Sequence, residues 1–422
     1  MPGSGLDAWV PPVAPPSPSE TDNWRSPVLR DYQKPGLQEV LRQRKGTVTW
    51  ATGAGKSVLG MRLVTELKRP CVILVNTIKL LEQWVERLRS FCNIEAGVWY
   101  GERKERRLVT ISTYQSLYNH VEFIEDASVL IFDEGDLAVA NHWGALVEAA
   151  SRGNHDYVLL LTATWPQDPH KSMALSELLP LIHSYQPSEL RRVGAIVPAE
   201  PIQVEVSLTE RETEHYTNIK EAMEKAEKVL HTNILRDISV IANRPLPPEG
   251  DPNREAASVR VDAAWRYIRL ITGRRQLLAN AENKVPALLP IIQRHAGEKV
   301  LVFSDLIVTL ERAQSYLERQ GVQMRLLTGK TPQGERRTLF EDWGKGYQVL
   351  GAAKVVDRGL DVPDVGVLVI IGSGSSRIQI TQRVGRALRP SPGKERAYVY
   401  VVYCGNTSEK RVYDAVRRVI SA

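Results

Sequence analysis

The sequence predicts an α/β protein in which two parallel-sheet domains stand in tandem with a helical insertion between them. Two series of short, β-branched runs alternate with helical patterns, and the runs are largely apolar rather than alternating, as strands covered on both faces must be. Between the two series the periodicity becomes purely helical. At 422 residues the chain is also long enough to bury two ordinary cores.

The first series, at residues 47–50, 72–75, 109–112, 129–132 and 158–161, places one domain over 26–195. In the insertion, expected over 196–288, Thr209 and Glu212 have the spacing of a capping box, and Tyr216, Ile219, Met223, Ala226 and Leu230 then fall on one helical face. A Pro- and Gly-rich stretch at 245–252 precedes a second helix around 263–278. The simplest insertion is therefore a helical hairpin: a wedge, a clamp on duplex or a spacer, with clamp or spacer favoured. The second series, at 300–303, 324–327, 349–352, 367–371 and 398–402, builds a domain over 289–422. Residues 1–25, rich in proline, carry too little apolar periodicity to fold alone and are expected as a disordered tail.

No apolar run reaches membrane-spanning length, and the N-terminus has neither the basic nor the apolar region of a signal peptide, so the expected place is the cytoplasm. Cys71, Cys92 and Cys404 are odd in number and in no metal-ligand spacing, which predicts reduced core residues. The tryptophans Trp84, Trp99, Trp143 and Trp343 are expected in core or cleft packing rather than as base-stacking platforms. The formal charge of +6 is unevenly spread: residues 291–422 hold 21 Lys and Arg against 13 Asp and Glu, the rest of the chain 34 against 36. The C-terminal excess is either a phosphate-binding surface or a solvated basic face.

Three elements carry chemistry. The run at 47–50 leads into Ala51-Thr52-Gly53-Ala54-Gly55-Lys56-Ser57 and then a helical pattern, the context of a P-loop. Its glycines let backbone N–H groups face phosphate oxygens, Lys56 reaches the terminal phosphates, Ser57 can hold Mg²⁺, and a helix N-terminus adds its positive dipole end. Trp50 stands where the general pattern has its first glycine. The run at 129–132 ends in Asp133-Glu134-Gly135-Asp136, which sets acids at the carboxyl edge of the sheet, with Asp133 as the Mg²⁺ partner and Glu134 as the group that orients water. Finally, Gln382-Arg383-Val384-Gly385-Arg386-Ala387-Leu388-Arg389 puts guanidiniums on one helical face, where Arg386 and Arg389 can cross a cleft to the γ-phosphate.

In this order the elements resemble the motif series of superfamily 2 helicases and translocases over nearly the whole chain from Leu29. Leu29-Arg30-Asp31-Tyr32-Gln33 looks like the upstream glutamine motif, with Gln33 reading adenine. Segments 75–84 and 111–117 look like motifs Ia and Ic, Leu161-Thr162-Ala163-Thr164 like motif III, Val302-Phe303-Ser304 like motif IV, residues 354–362 like motif V and residues 382–389 like motif VI. The resemblance implies two RecA-like domains and an ATP hydrolase dependent on ATP and Mg²⁺. It implies a nucleotide held by Gln33, Thr52, Gly53, Ala54, Gly55, Lys56, Ser57, Asp133, Gly359, Asp361, Arg386 and Arg389. A nucleic-acid strand would be gripped near Thr77, Thr113, Ser304, Thr328 and Lys354.

Ser375-Ser376-Arg377 before motif VI is similar to the XPB-like DNA helicases and to related phage or restriction-type motors. Three departures stand against the XPB-like pattern: Trp165-Pro166-Gln167-Asp168 in place of an Arg-Glu-Asp motif, an N-terminal tail expected to be too short for a damage-recognition domain, and Ala353 where many relatives have a phosphate-contacting threonine. The resemblance implies movement on DNA, single-stranded or duplex, and Asp-Glu-Gly-Asp instead of Asp-Glu-Ala-Asp favours DNA over RNA. A duplex translocase without strand separation, an RNA helicase and a regulatory protein with a degenerate ATPase stay open as alternatives. So do a nuclease or repair partner chain and the oligomeric state.

Overall fold

The computed structural model describes residues 21–118, 120–135, 144–166, 168–353, 365–372, 384–385, 390 and 394–421. The described residues form two sheets and a helical insertion. In the first sheet the strands are β1 (Lys45–Thr49), β2 (Cys71–Val75), β3 (Gly97–Tyr100), β4 (Arg103–Lys104), β5 (Val109–Thr113), β6 (Val129–Asp133), β7 (Tyr157–Thr162) and β8 (Leu181–Ser184). Their order is β4-β3-β5-β2-β6-β7-β1-β8, parallel except for the β3–β4 pair. The central strands β2, β5 and β6 are buried at every residue, which is why their sequences read as unbroken runs.

The second sheet holds β9 (Ala199–Val206), β10 (Val300–Ser304), β11 (Met324–Leu327), β12 (Val349–Ala352), β13 (Val367–Gly372) and β14 (Ala397–Cys404), in the order β11-β12-β10-β13-β14-β9 and parallel throughout. Here the structure corrects the expectation of a helical segment from residue 196. Residues 199–206 pair along their full length with β14 and close one edge of the sheet. Alternate residues Ile202, Val204 and Val206 pack against its core while Gln203 and Glu205 lie more open, and Pro201 is tolerated because the strand is at an edge.

The insertion proper contains the helices Glu210–Leu230, Leu235–Ala242 and Arg254–Ala279, three rather than a hairpin of two. The capping box forms, Thr209 Oγ1 accepting from Glu212 N at 3.3 Å and Glu212 Oε2 from Thr209 N at 3.0 Å. Ile219, Met223, Ala226 and Leu230 meet Ile238, Ala242, Ala264 and Tyr267 in a separate small core. Lys284, fully buried, ties the end of the insertion to the second sheet: its Nζ donates to Ile371 O at 3.1 Å and pairs with Glu409 Oε1 at 2.7 Å.

At the other end, residues 21–25 are not tail. Arg25 N donates to Cys92 O at 2.8 Å, Lys68 Nζ to Thr21 O at 3.0 Å and Asn93 Nδ2 to Asn23 O at 3.1 Å, so this stretch is pinned to helix ends of the first domain. Trp84, Trp99 and Trp343 are buried, as are all three cysteines, while Trp143 lies outside the described residues. Among the described residues no helix is long and apolar enough to cross a membrane.

Candidate nucleotide site

The P-loop leaves β1 and enters the helix Lys56–Leu67, and the acids leave β6. The strand β7 lies between them, with Thr162 level with Thr49 and Leu161 level with Asp133. Two strand spacings therefore separate the loops, about 10 Å, at the carboxyl edge where open parallel sheets take their ligands.

Gly53 and Gly55 have φ of 91° and 82°, the left-handed region in which the turn of the loop becomes possible without a Cβ penalty. At Gly55 there is a second reason, since a Cβ would collide with the amide of Gln33. Gln33 is buried, its Nε2 donating to Ala54 O at 3.1 Å and Gly55 O at 3.4 Å while Oε1 accepts from Arg30 N at 2.9 Å. The upstream glutamine thus touches the phosphate loop directly, and Tyr32 beside it donates from its hydroxyl to Ala54 O at 2.9 Å.

Trp50, the departure from the general P-loop pattern, is fully buried. Its ring lies among Tyr32, His183 and Tyr185, and the indole N–H donates to His183 Nδ1 at 3.0 Å. Gly36 is the matching concession, because a Cβ there would run into the Trp50 ring. Burial holds the His183 imidazole below its ordinary value, which suits the acceptor role; the more distant Glu39 and Glu189 pull the other way.

Lys56 Nζ lies on the carbonyls of Trp50 and Ala51, at 2.9 and 3.3 Å. The helix it opens has no side-chain cap, so Gly55 leaves the first amides of a twelve-residue helix uncovered by any capping side chain. An ammonium resting on carbonyl oxygens beside uncapped amides and the Ser57 hydroxyl is a donor set that fits phosphate.

Asp133 is buried, and desolvation raises its pKa against the opposing pull of the Trp84 N–H, the Lys56 charge, the Glu134 amide and Arg87. Its Oδ2 accepts from Trp84 Nε1 at 2.7 Å and its Oδ1 from Glu134 N at 3.1 Å. A buried carboxylate raised by desolvation gains from a cation, so the donor chemistry fits Mg²⁺ as well. Glu134 has φ of 55°, a left-handed conformation that costs a non-glycine residue about 1–2 kcal/mol. Such strain is maintained where a side chain must be aimed. Gly135 has a packing reason, for a Cβ would meet the Leu160 side chain, and this accounts for Asp-Glu-Gly-Asp in place of an alanine form.

Thr77 and Thr113 stand on the same edge, after β2 and β5, and both cap helices: Thr77 Oγ1 accepts from Leu80 N and Thr113 Oγ1 from Ser116 N, each at 3.2 Å. In the second domain Ser304 ends β10, but its side chain is buried with Oγ accepting from Leu306 N at 3.2 Å, so the hydroxyl expected at a strand is turned inward. Thr328 follows β11, its N–H donating to Thr331 Oγ1 at 3.0 Å. Gly385 reaches the first domain, since a Cβ on it would collide with the side chain of Thr52. Lys354, Gly359, Asp361, Arg386 and Arg389 lie outside the described residues. Trp84 and Tyr114, which contact Asp133, were not foreseen, because no motif spacing relates them to an acid far along the chain.

Comparison with known proteins agrees with this arrangement. Residues 26–167 match the family described as type III restriction enzyme, res subunit, and residues 283–391 match the helicase conserved C-terminal domain. The chain is 28% identical over 385 residues to the DNA 3'-5' translocase XPB2 of Sulfurisphaera tokodaii, covering 89% of this chain and 82% of that protein. It is 26% identical over 416 residues to the DNA 3'-5' helicase XPB of Mycobacterium tuberculosis, covering 95% of this chain but only 64% of that longer relative. In fold it is similar to the Hef helicase domain of Pyrococcus furiosus, with a TM-score of 0.61 at 20% identity over 92% of this chain and 98% of that one. With both matched domains in order on two parallel sheets, the chain belongs to superfamily 2 of the helicases and translocases and has XPB-type proteins among its relatives.

Proposed function

We propose that this chain is an ATP-driven motor on DNA whose first domain holds the nucleotide and whose second completes the site as the two close. The observation that carries the reading is the meeting, at one sheet edge, of a P-loop lysine, a buried aspartate and a backbone-strained glutamate. Lys56 would exchange its two carbonyls for phosphate oxygens, and Thr52, Gly53, Ala54 and Gly55 would present the loop to them. Gln33, already joined to the loop, would read adenine. Ser57 and Asp133 would hold Mg²⁺, which neutralises phosphate charge when bound. Glu134 would orient the attacking water, with Gly359, Asp361, Arg386 and Arg389 contributed by the second domain.

One strand would run across both domains near Thr77, Thr113, Thr328 and Lys354, held through its phosphates and with little sequence preference. The names of the relatives support DNA as the polymer and a 3'-to-5' direction. Steady-state ATP hydrolysis tests the reading, measured at one salt concentration with no polymer, single-stranded DNA, duplex DNA and RNA. DNA should stimulate turnover many-fold. Lys56→Ala should be inactive, and Glu134→Gln should lose about 10²- to 10⁴-fold while still binding ATP. A rate that no polymer alters would remove the motor and leave a regulatory nucleotide-binding protein.

A further inference from the structure

Two side chains converge on Asp133 from the two segments expected at the nucleic-acid strand. Trp84 lies on the helix Ile78–Cys92, whose N-cap is Thr77, and its indole donates to the Asp133 carboxylate at 2.7 Å. Tyr114 opens the short helix capped by Thr113, and its hydroxyl donates to the Asp133 main-chain carbonyl at 2.8 Å. Both rings are closed to solvent, at 1% and 0% exposure. Trp84 is also in van der Waals contact with the P-loop helix, where a Cβ on Gly60 would stand 2.9 Å from its Cη2, and Tyr114 stacks on Phe132.

Each segment is therefore joined to one acid by one polar atom, at the carboxylate from one side and at the carbonyl from the other. Side-chain hydrogen bonds in a dry interior are strong and directional, so a shift of either segment moves what it is bonded to. We propose that Trp84 and Tyr114 are positioning residues that couple strand binding near Thr77 and Thr113 to the placement of Asp133 in the nucleotide site. The inference rests on the function proposed above. Coupling of this kind is reciprocal: DNA raises the affinity for nucleotide by the same factor as nucleotide raises the affinity for DNA.

Tyr114→Phe keeps the ring and removes only the hydroxyl donor, whereas Trp84→Phe removes the indole N–H together with part of the buried ring. The measurement is the affinity of the full chain for a magnesium complex of a non-hydrolysable ATP analogue, by calorimetry, with and without a saturating short oligothymidylate. Wild type should show a ratio of about 5- to 150-fold between the two. Each variant should lose about fivefold of that ratio, the worth of one hydrogen bond. A merely structural role would weaken both affinities together and leave the ratio intact, and that result in both variants overturns the inference. Tyr114→Phe, the smaller change, decides the matter if Trp84→Phe does not fold. A wild type that binds both partners without coupling also overturns it, whereas a wild type that binds neither overturns the proposed function.

Discussion

The two sheets share one strand grammar, yet their carboxyl edges are locked by different chemistry. At the first, the locks are neutral donors: the amide of Gln33, the indoles of Trp50 and Trp84 and the phenols of Tyr32 and Tyr114. At the second, the buried Lys284–Glu409 pair ties Ile371 O on β13 to Cys404 N at the end of β14. A hydrogen bond between neutral groups contributes about 1 kcal/mol net and one to a carboxylate, as from Trp84 to Asp133, about 1.5–3 kcal/mol, whereas removing one partner of a buried ion pair costs about 3–5 kcal/mol. The first edge can therefore exchange partners around a ligand at little cost. The second is held at a fixed geometry, as would suit a sheet that moves as a body in the proposed motor.

The largest test of this contrast is Trp50→Gly, which restores the general P-loop glycine. Emptying that fully buried site and loosening the strand end should cost about 4–6 kcal/mol, read from the urea midpoint, so the glycine of the general P-loop pattern is harmful here. Next is Lys284→Ala, at about 3–5 kcal/mol, with the double change Lys284→Met, Glu409→Leu recovering most of it. If the single and double variants unfold alike, the pair is not the lock of the second edge. Gly60→Ala should cost about 1–3 kcal/mol, because Trp84 has to shift to admit the methyl. Solved as a crystal structure, that variant should show the Trp84–Asp133 bond lengthened.

The smallest effect is a pH dependence confined to the first domain. Burial holds both His183 and His155 below the ordinary 6.5, so both are favoured neutral in the fold. Their folded-state values lie under the unfolded ones; the stability this contributes is complete above about pH 6.5 and is lost as the pH falls through the folded-state values. Thermal unfolding between pH 7.5 and 5 should show that decline, and His183→Gln should make it shallower.

The core and the P-loop were legible because each is local: an unbroken apolar run announces a central strand, and Gly-Ala-Gly-Lys-Ser announces its own turn. The strand β9 was missed although Ile202, Val204 and Val206 alternate, because the capping box just beyond it set the whole segment down as helix. Residues 21–25 were missed because what pins them is backbone hydrogen bonding, to which composition is blind. Trp50 reads in sequence as a departure from the P-loop pattern, and only the fold brings Gly36, Tyr32, His183 and Tyr185 around it. Contacts such as Trp84 to Asp133 depend on which strands are neighbours, and a single sequence does not order its strands.

The burial of the three cysteines makes the chain unusually simple to instrument. Burial pushes the Cys71 thiol far above its ordinary range, Cys92 up to about 11 and Cys404 up to about 12, so at neutral pH all three stay protonated and shielded from alkylating dyes. A donor and an acceptor fluorophore can thus be carried on two introduced surface cysteines, one on each sheet, with the native thiols left in place. Energy transfer between them would show, molecule by molecule, whether the proposed closure accompanies each turnover.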